Sequence, residues 1–196
     1  VTYSNLYFRE PESRADQTRM MSIVTTAPET GYYVDVFRSR KEKGGDKMHD
    51  YFYHNLGQTL TLTAADGTDL NLQPTEELAF AGAHLYAYSY LYDKKVAATG
   101  KDVKATFTID MKDKGGDDIS MNLWMKGEPD REVFTALSPM TEGLSRTPGM
   151  PYNIKEQPTL TFVARQHGEA WNRPFVAVYE PVSYTHLRAH ETSLHL

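Results

Sequence analysis

The stretch Lys104 to Met111, KATFTIDM, places Ala105, Phe107, Ile109 and Met111 on one side of an extended chain and Lys104, Thr106, Thr108 and Asp110 on the other. Successive side chains of a strand point to opposite faces, so this alternation predicts a strand with one buried face and one wet face. The habit begins near Arg19 and returns in TLTLT (59–63), DLNLQ (69–73), DISMNLWMK (118–126), TLTFVAR (159–165) and PFVAVYE (174–180). Turn signals separate the runs: APETG (27–31), AADGTD (64–69), KDKGGDD (112–118), KGEPD (126–130) and TPGMP (147–151). Many strands at short intervals, punctuated by Gly and Pro, predict an all-β fold, an antiparallel multi-stranded β-sandwich. No stretch keeps helical period, no repeat of fixed period appears, and no linker divides the chain. Residues 135–158, TALSPMTEGLSRTPGMPYNIKEQP, read as a long loop.

The chain has 196 residues, 40% of them hydrophobic and 12% aromatic, enough for one sizeable globular core. Its formal net charge of −5 and lack of a basic stripe argue against a nucleic-acid partner. The one basic run, RSRKEKGGDK (38–47), mixes in acids and reads as a solvated loop. With no cysteine there is neither a disulfide nor a thiolate metal site. No apolar run approaches the length of a membrane span. The opening VTYSNLYFREPE has neither an initiator Met nor a signal-peptide pattern, so the chain is expected to begin inside a longer protein.

Three constellations carry candidate chemistry. The densest is MHDYFYHN (48–55), read as pairing in a hairpin with GYYVDVFRSR (31–40) across Gly44 and Gly45. Here Asp35, His49, Asp50 and His54 suggest a metal ligand, a proton-transfer histidine or a sugar-binding edge, and Tyr51 is a further member of the polar cluster. Strand geometry weakens the metal reading, because His49 and His54 point to opposite faces; Asp50, Phe52 and His54 share one face, His49, Tyr51 and Tyr53 the other. A polar network that fixes a strand corner is the favoured alternative, and no metal site is expected.

The second is HLYAYSYLYD (84–93), where Tyr86, Tyr88, Tyr90 and Tyr92 would form an aromatic row on one sheet face. Such a row stacks on sugar rings or serves as a buried layer, and packing is the favoured reading. His84 has no ligand-spaced partner. The third is RQHGEAWNRPFVAVYEP (165–181), where Arg165, His167, Trp171 and Arg173 bracket a turn. Trp171 and Arg173 could hold a carboxylated sugar, although a stack of Arg173 on Trp171 is preferred. No GxSxG, HExxH, Cys/His dyad or phosphate-binding glycine loop is present.

The ordered segments GYYVDVFRSRKEKGGDKMHDYFYHNLG and RPFVAVYEP resemble the C-terminal β-sandwich region of heparinase II/III-like polysaccharide lyases. The matching positions are Tyr33 to Arg38, Gly44–Gly45, and His49, Asp50, Tyr51 and His54, and the likeness runs from Thr18 to about Pro181. It implies a sandwich cut from a larger protein with an N-terminal α/α toroid, located in the periplasm or secreted. It also implies β-elimination on a uronic-acid polysaccharide of glycosaminoglycan or alginate type. The lyase removes the C5 proton and then eliminates the C4-linked oxygen. Asn, His and Tyr typically supply the carboxylate neutraliser, base and acid. In the family those residues, and a divalent metal such as zinc or calcium, lie upstream of the matched region. No catalytic residue and no cofactor is therefore expected here, and the implied partners are the polysaccharide and the missing toroid. The acidic balance further suggests that capture of a polyanion falls to the missing part.

The tail VSYTHLRAHETSLHL (182–196) resembles the in-frame translation of a transposase-type sequencing adapter. The expected organisation is therefore a sandwich over 1–181 and a non-native tail over 182–196, which removes His186, His190 and His195 from any site. A carbohydrate-binding or structural sandwich module of another carbohydrate-active enzyme is the alternative, with the accessory sandwich of a glycoside hydrolase behind it.

Overall fold

The computed structural model describes residues 1–43, 45–79, 86–141, 147–151, 154 and 156–183. The strands are β1 (Thr2–Arg9), β2 (Asp16–Ala27), β3 (Thr30–Arg40), β4 (Met48–Asn55), β5 (Thr59–Ala64), β6 (Gln73–Pro74) and β7 (Tyr92–Ala98). They continue with β8 (Val103–Ile109), β9 (Ile119–Met125), β10 (Arg131–Ser138), β11 (Thr159–His167) and β12 (Ala170–Ser183). Two antiparallel sheets form a sandwich, as the alternation predicts: one ordered β1-β2-β3-β12-β9-β8-β5, the other β4-β11-β10-β7-β6.

The inward residues of both sheets make the main core. Phe107, Leu123, Met125 and Phe175 come from the larger sheet, and Tyr51, Val133, Leu160 and Phe162 from the smaller. Burying such side chains away from water is the chief force holding the layers together. In β8 the residues Val103, Ala105 and Phe107 are buried, as the opening alternation predicts for Ala105 and Phe107, whereas Ile109 is half-buried at the strand end and Met111 lies beyond it. β11 is buried along nearly its whole length. Its inner face meets the larger sheet, and its outer face belongs to a second cluster of Leu78, Leu91, Phe134, Ala136 and Val163. The segment around Leu78 and Leu91 thus roofs the outside of the smaller sheet.

Several expectations change. GYYVDVFRSR and MHDYFYHN do not form a hairpin: β3 pairs with β2 and β12, whereas β4 pairs with β11 in the opposite sheet. The polar linker between them crosses from one layer to the other. Arg38 to Arg40 belong to β3, and Ser39 is buried, so only the later part of the basic run is loop. DLNLQ is no strand beyond a single bridge at Asp69 and the start of β6, because Leu70 and Leu72 pack on the core from irregular backbone. Residues 135–138, read as loop, complete β10.

β1, which the alternation leaves unassigned, pairs with β2 from Thr2↔Ile23 to Arg9↔Asp16 and is exposed along its length. Val182 and Ser183 extend β12 beside Ser120 and Ile119. His84 and residues 184–196, with His186, His190 and His195, lie outside the described residues. Glycine is required sterically at position 127, where a Cβ on Gly127 would lie 2.3 Å from the Gly100 oxygen and from the Lys101 carbonyl carbon.

Candidate functional site

Two Arg–Asp–Tyr networks and a cleft bring together Asp35, His49, Asp50, Tyr51, Tyr88 and Arg165 of the residues singled out in the sequence. The first network links the two sheets, with Asp35 buried between them and the Arg19 side chain 44% exposed. Asp35 on β3 is fully buried, and Arg19 on the neighbouring β2 donates from Nε at 3.0 Å and from Nη2 at 2.5 Å. Tyr51 reaches across from β4 and donates its hydroxyl proton to Asp35 Oδ2 at 2.7 Å. The Tyr179 hydroxyl is bonded in turn to that of Tyr51. Ionised acceptors form the stronger hydrogen bonds, so one carboxylate ties three strands and two layers together.

Burial, aided by the charge of Asp35, pushes the Tyr51 hydroxyl well above its ordinary range, and burial does the same for Tyr179. The hydrogen bond to Asp35 raises the pKa of Arg19 further. These tyrosines hold their protons firmly at neutral pH, unlike a group poised for proton exchange.

The second network lies on the outer face of the smaller sheet. Arg165 on β11 donates from Nε and Nη2 to the two oxygens of Asp50, each at 2.8 Å, a bidentate pair shielded from water on both sides. Tyr88 adds its hydroxyl to Asp50 Oδ2 at 2.6 Å and meets the Phe52 ring edge-on at 5.3 Å. Burial and the Asp50 charge raise the Tyr88 pKa. His54, farther along this face, pairs its Nδ1 with the Thr161 hydroxyl at 2.9 Å, and desolvation lowers its pKa. The predicted face assignment of β4 therefore holds, with Asp50, Phe52 and His54 outward and Tyr51 and Tyr53 inward.

A cleft of about 570 Å³ opens beside the second network, over the free edge of β4. Gln17, Phe37 and Ser39 line it from the larger sheet, while Met48, His49, Asp50, Phe52 and Arg165 line it from the smaller. Tyr88 and the connection bearing Lys41, Asp46 and Lys47 complete the wall. Its size lies within the range of small-molecule sites. His49 Nε2 sits 2.6 Å from Asp46, whose carboxylate also accepts the Lys41 backbone N–H at 2.5 Å.

The other aromatic predictions are corrected. Ala87–Tyr90 is a 3₁₀ turn, so Tyr86, Tyr88, Tyr90 and Tyr92 form no row on a strand. Tyr88 turns inward to Asp50, while Tyr86, Tyr90 and Tyr92 are exposed. Trp171 carries Arg40 over its ring at 4.3 Å, in place of the expected Arg173. Arg173 points instead to Asp130 and to the carbonyls of His167 and Pro129.

Sequence reasoning missed Arg19, Ser39, Lys41 and Lys47. Only cross-strand register joins Arg19 to Asp35, and only the layer crossing places the two lysines over β4. Among the described residues no cluster of three or more His, Asp or Glu could hold a metal, and no helix is long and apolar enough to cross a membrane.

This chain is an antiparallel β-sandwich with a polar, aromatic-walled cleft. No family model matches it. It is 33% identical over 183 residues to a protein of Formosa agariphila named "Endo-acting ulvan lyase". The match covers 91% of this chain and 21% of that relative, so the chain spans about a fifth of the relative's length. The chain is thus related to a segment of a polysaccharide lyase.

Proposed function

We propose that this chain is the β-sandwich portion of a larger polysaccharide lyase, of the heparinase II/III-like kind, that cleaves a uronic-acid polysaccharide by β-elimination outside the cell membrane. The observation that carries the reading is the 33% identity to the ulvan lyase over nearly the whole chain. The ordered motifs at Tyr33 to Arg38 and His49 to His54 support the narrower family reading. In this proposal residues 182–196 have no part in the function.

Within that protein the sandwich supports and contacts substrate, while the proton transfers belong to residues outside this chain. The geometry favours this division. A base for the C5 proton needs access and a pKa near the working pH, whereas Tyr51, Tyr88 and Tyr179 are committed to internal hydrogen bonds and hold their protons tightly. A toroid upstream would carry the base, acid and carboxylate neutraliser, together with any structural divalent metal.

The test is the absorbance of unsaturated uronate in digests of ulvan, alginate and glycosaminoglycans. The 196-residue chain alone is expected to release none. A longer protein containing it is expected to release product from at least one polymer. Product from the chain alone would refute the division of labour, and no product from the longer protein on any uronate polymer would refute the lyase reading.

A further inference from the structure

We infer that the cleft over β4 is a binding site for an acidic sugar, its carboxylate drawn by Lys41 and Lys47 against a wall formed by Phe52 and Tyr88. The inference rests on the lyase reading for the class of polymer and adds where this chain would hold it.

Charge is the first support. The chain as a whole carries −5, yet three cations line the cleft, Lys41, Lys47 and Arg165, against two carboxylates, Asp46 and Asp50. Both carboxylates are engaged. Asp50 receives the Arg165 fork and the Tyr88 hydroxyl, and Asp46 receives the Lys41 N–H and faces His49. Neither Lys41 nor Lys47 has an ion-pair partner among the described residues, so their ammonium groups are the charge left for a ligand. A low-dielectric wall behind such groups focuses their field on an incoming anion.

Shape and hydrogen bonding are the second. Phe52 and Tyr88 meet edge-on at 5.3 Å and give the cleft an apolar surface beside its charges, the combination that suits a sugar ring with one acidic substituent. β4 is the terminal strand of its sheet, so main-chain groups on its free side can meet sugar hydroxyls. Ser39, which lines the cleft from β3 and is only 1% exposed, has a buried hydroxyl with no hydrogen-bond partner among the described residues. Buried polar groups are nearly always paired, and this one borders the space a ligand would fill.

The site explains how an acidic chain takes part in holding a polyanion. The sequence suggested that this task lay wholly elsewhere, because net charge conceals a local reversal confined to the layer crossing between β3 and β4.

The experiment is an NMR titration of the isotopically labelled 196-residue chain with a glucuronate tetrasaccharide, an uncharged glucose tetrasaccharide and a sulfated glucose tetrasaccharide. Saturable shifts at Lys41, Lys47, His49 and Tyr88 with the glucuronate compound, and none with the uncharged one, are expected. The double variant Lys41→Ala/Lys47→Ala is expected to weaken binding about tenfold or more while its backbone spectrum stays folded. Equal binding of the uncharged sugar, shifts elsewhere, or an unchanged double variant would overturn the site. Saturation by the sulfated sugar alone would overturn the assignment to a carboxylate. Binding is read on the chain itself and cleavage on the longer protein, so either inference can fail without the other.

Discussion

Asp35 and Asp50 sit in the same chemical arrangement and in opposite surroundings. Each accepts a two-toothed arginine and a tyrosine hydroxyl: Arg19 and Tyr51 in one case, Arg165 and Tyr88 in the other. The first carboxylate is sealed between the sheets, and the second borders a cleft. Identical functional groups therefore do not mark a site by themselves. What separates scaffold from contact surface is the space on the fourth side of the carboxylate.

The comparison is broken most directly by deleting the arginines. Arg165→Ala removes a guanidinium that is only 9% exposed and leaves Asp50, itself 5% exposed, with Tyr88 as its remaining named hydroxyl donor, so a loss of about 3–5 kcal/mol of folding stability is expected. Arg19→Ala leaves Asp35 with one tyrosine as its remaining named donor, but the Arg19 side chain is 44% exposed and water can follow into its place, so a smaller loss of about 2–3 kcal/mol is expected. Urea unfolding of both variants measures the difference. If Arg19→Ala costs as much as Arg165→Ala or more, the exposure of the arginine does not set the cost and the two networks are equivalent.

Alkaline pH sharpens the same contrast. Unfolded tyrosines lose their protons near pH 10, whereas folding raises the pKa of Tyr51, Tyr179 and Tyr88 above that value. Above pH 10 the folded state binds more protons than the unfolded state, so stability falls as pH rises. The contribution is fully present below pH 10 and is lost progressively towards the folded pKa values. Each such tyrosine adds a slope of about 1.4 kcal/mol per pH unit. Tyr51→Phe is expected to remove one unit of that slope, measured by urea unfolding at several alkaline pH values. An unchanged slope would show that the alkaline loss of stability does not come from Tyr51.

How much of this was legible from residues alone follows from what side-chain alternation encodes. It encodes faces, so the inward Tyr51 and Tyr53 and the outward Asp50, Phe52 and His54 were readable. It does not encode sheets, so β3 and β4 were wrongly joined in a hairpin, and the Asp35–Tyr51 bond across the layers was out of reach. Alternation also deceives where its two sides lack contrast. Tyr86 to Tyr92, interleaved with Ala87, Ser89 and Leu91, has period two, but Ala87–Tyr90 folds as a 3₁₀ turn and only Tyr92 belongs to a strand, as the first residue of β7. The reverse failure is β1, whose residues are exposed on both faces and leave no burial pattern to detect.

The smallest expected effects test the cleft from its two sides. Lys41→Ala and Lys47→Ala should each change stability by less than about 0.5 kcal/mol, because neither lysine forms an ion pair among the described residues. Ser39→Ala removes a buried hydroxyl that has no partner among the described residues, and with it a desolvation cost that the fold carries for no bond in return. Stability is therefore expected to stay level or rise by up to about 1 kcal/mol in thermal unfolding, against the usual direction of a core substitution. The same variant should weaken glucuronate tetrasaccharide binding, since a gain in stability paired with a loss in affinity is the signature of a polar group retained for a ligand. A loss of stability beyond about 1 kcal/mol would show that the hydroxyl is already bonded within the folded chain, and Ser39 would then join Asp35 on the scaffold side of the comparison.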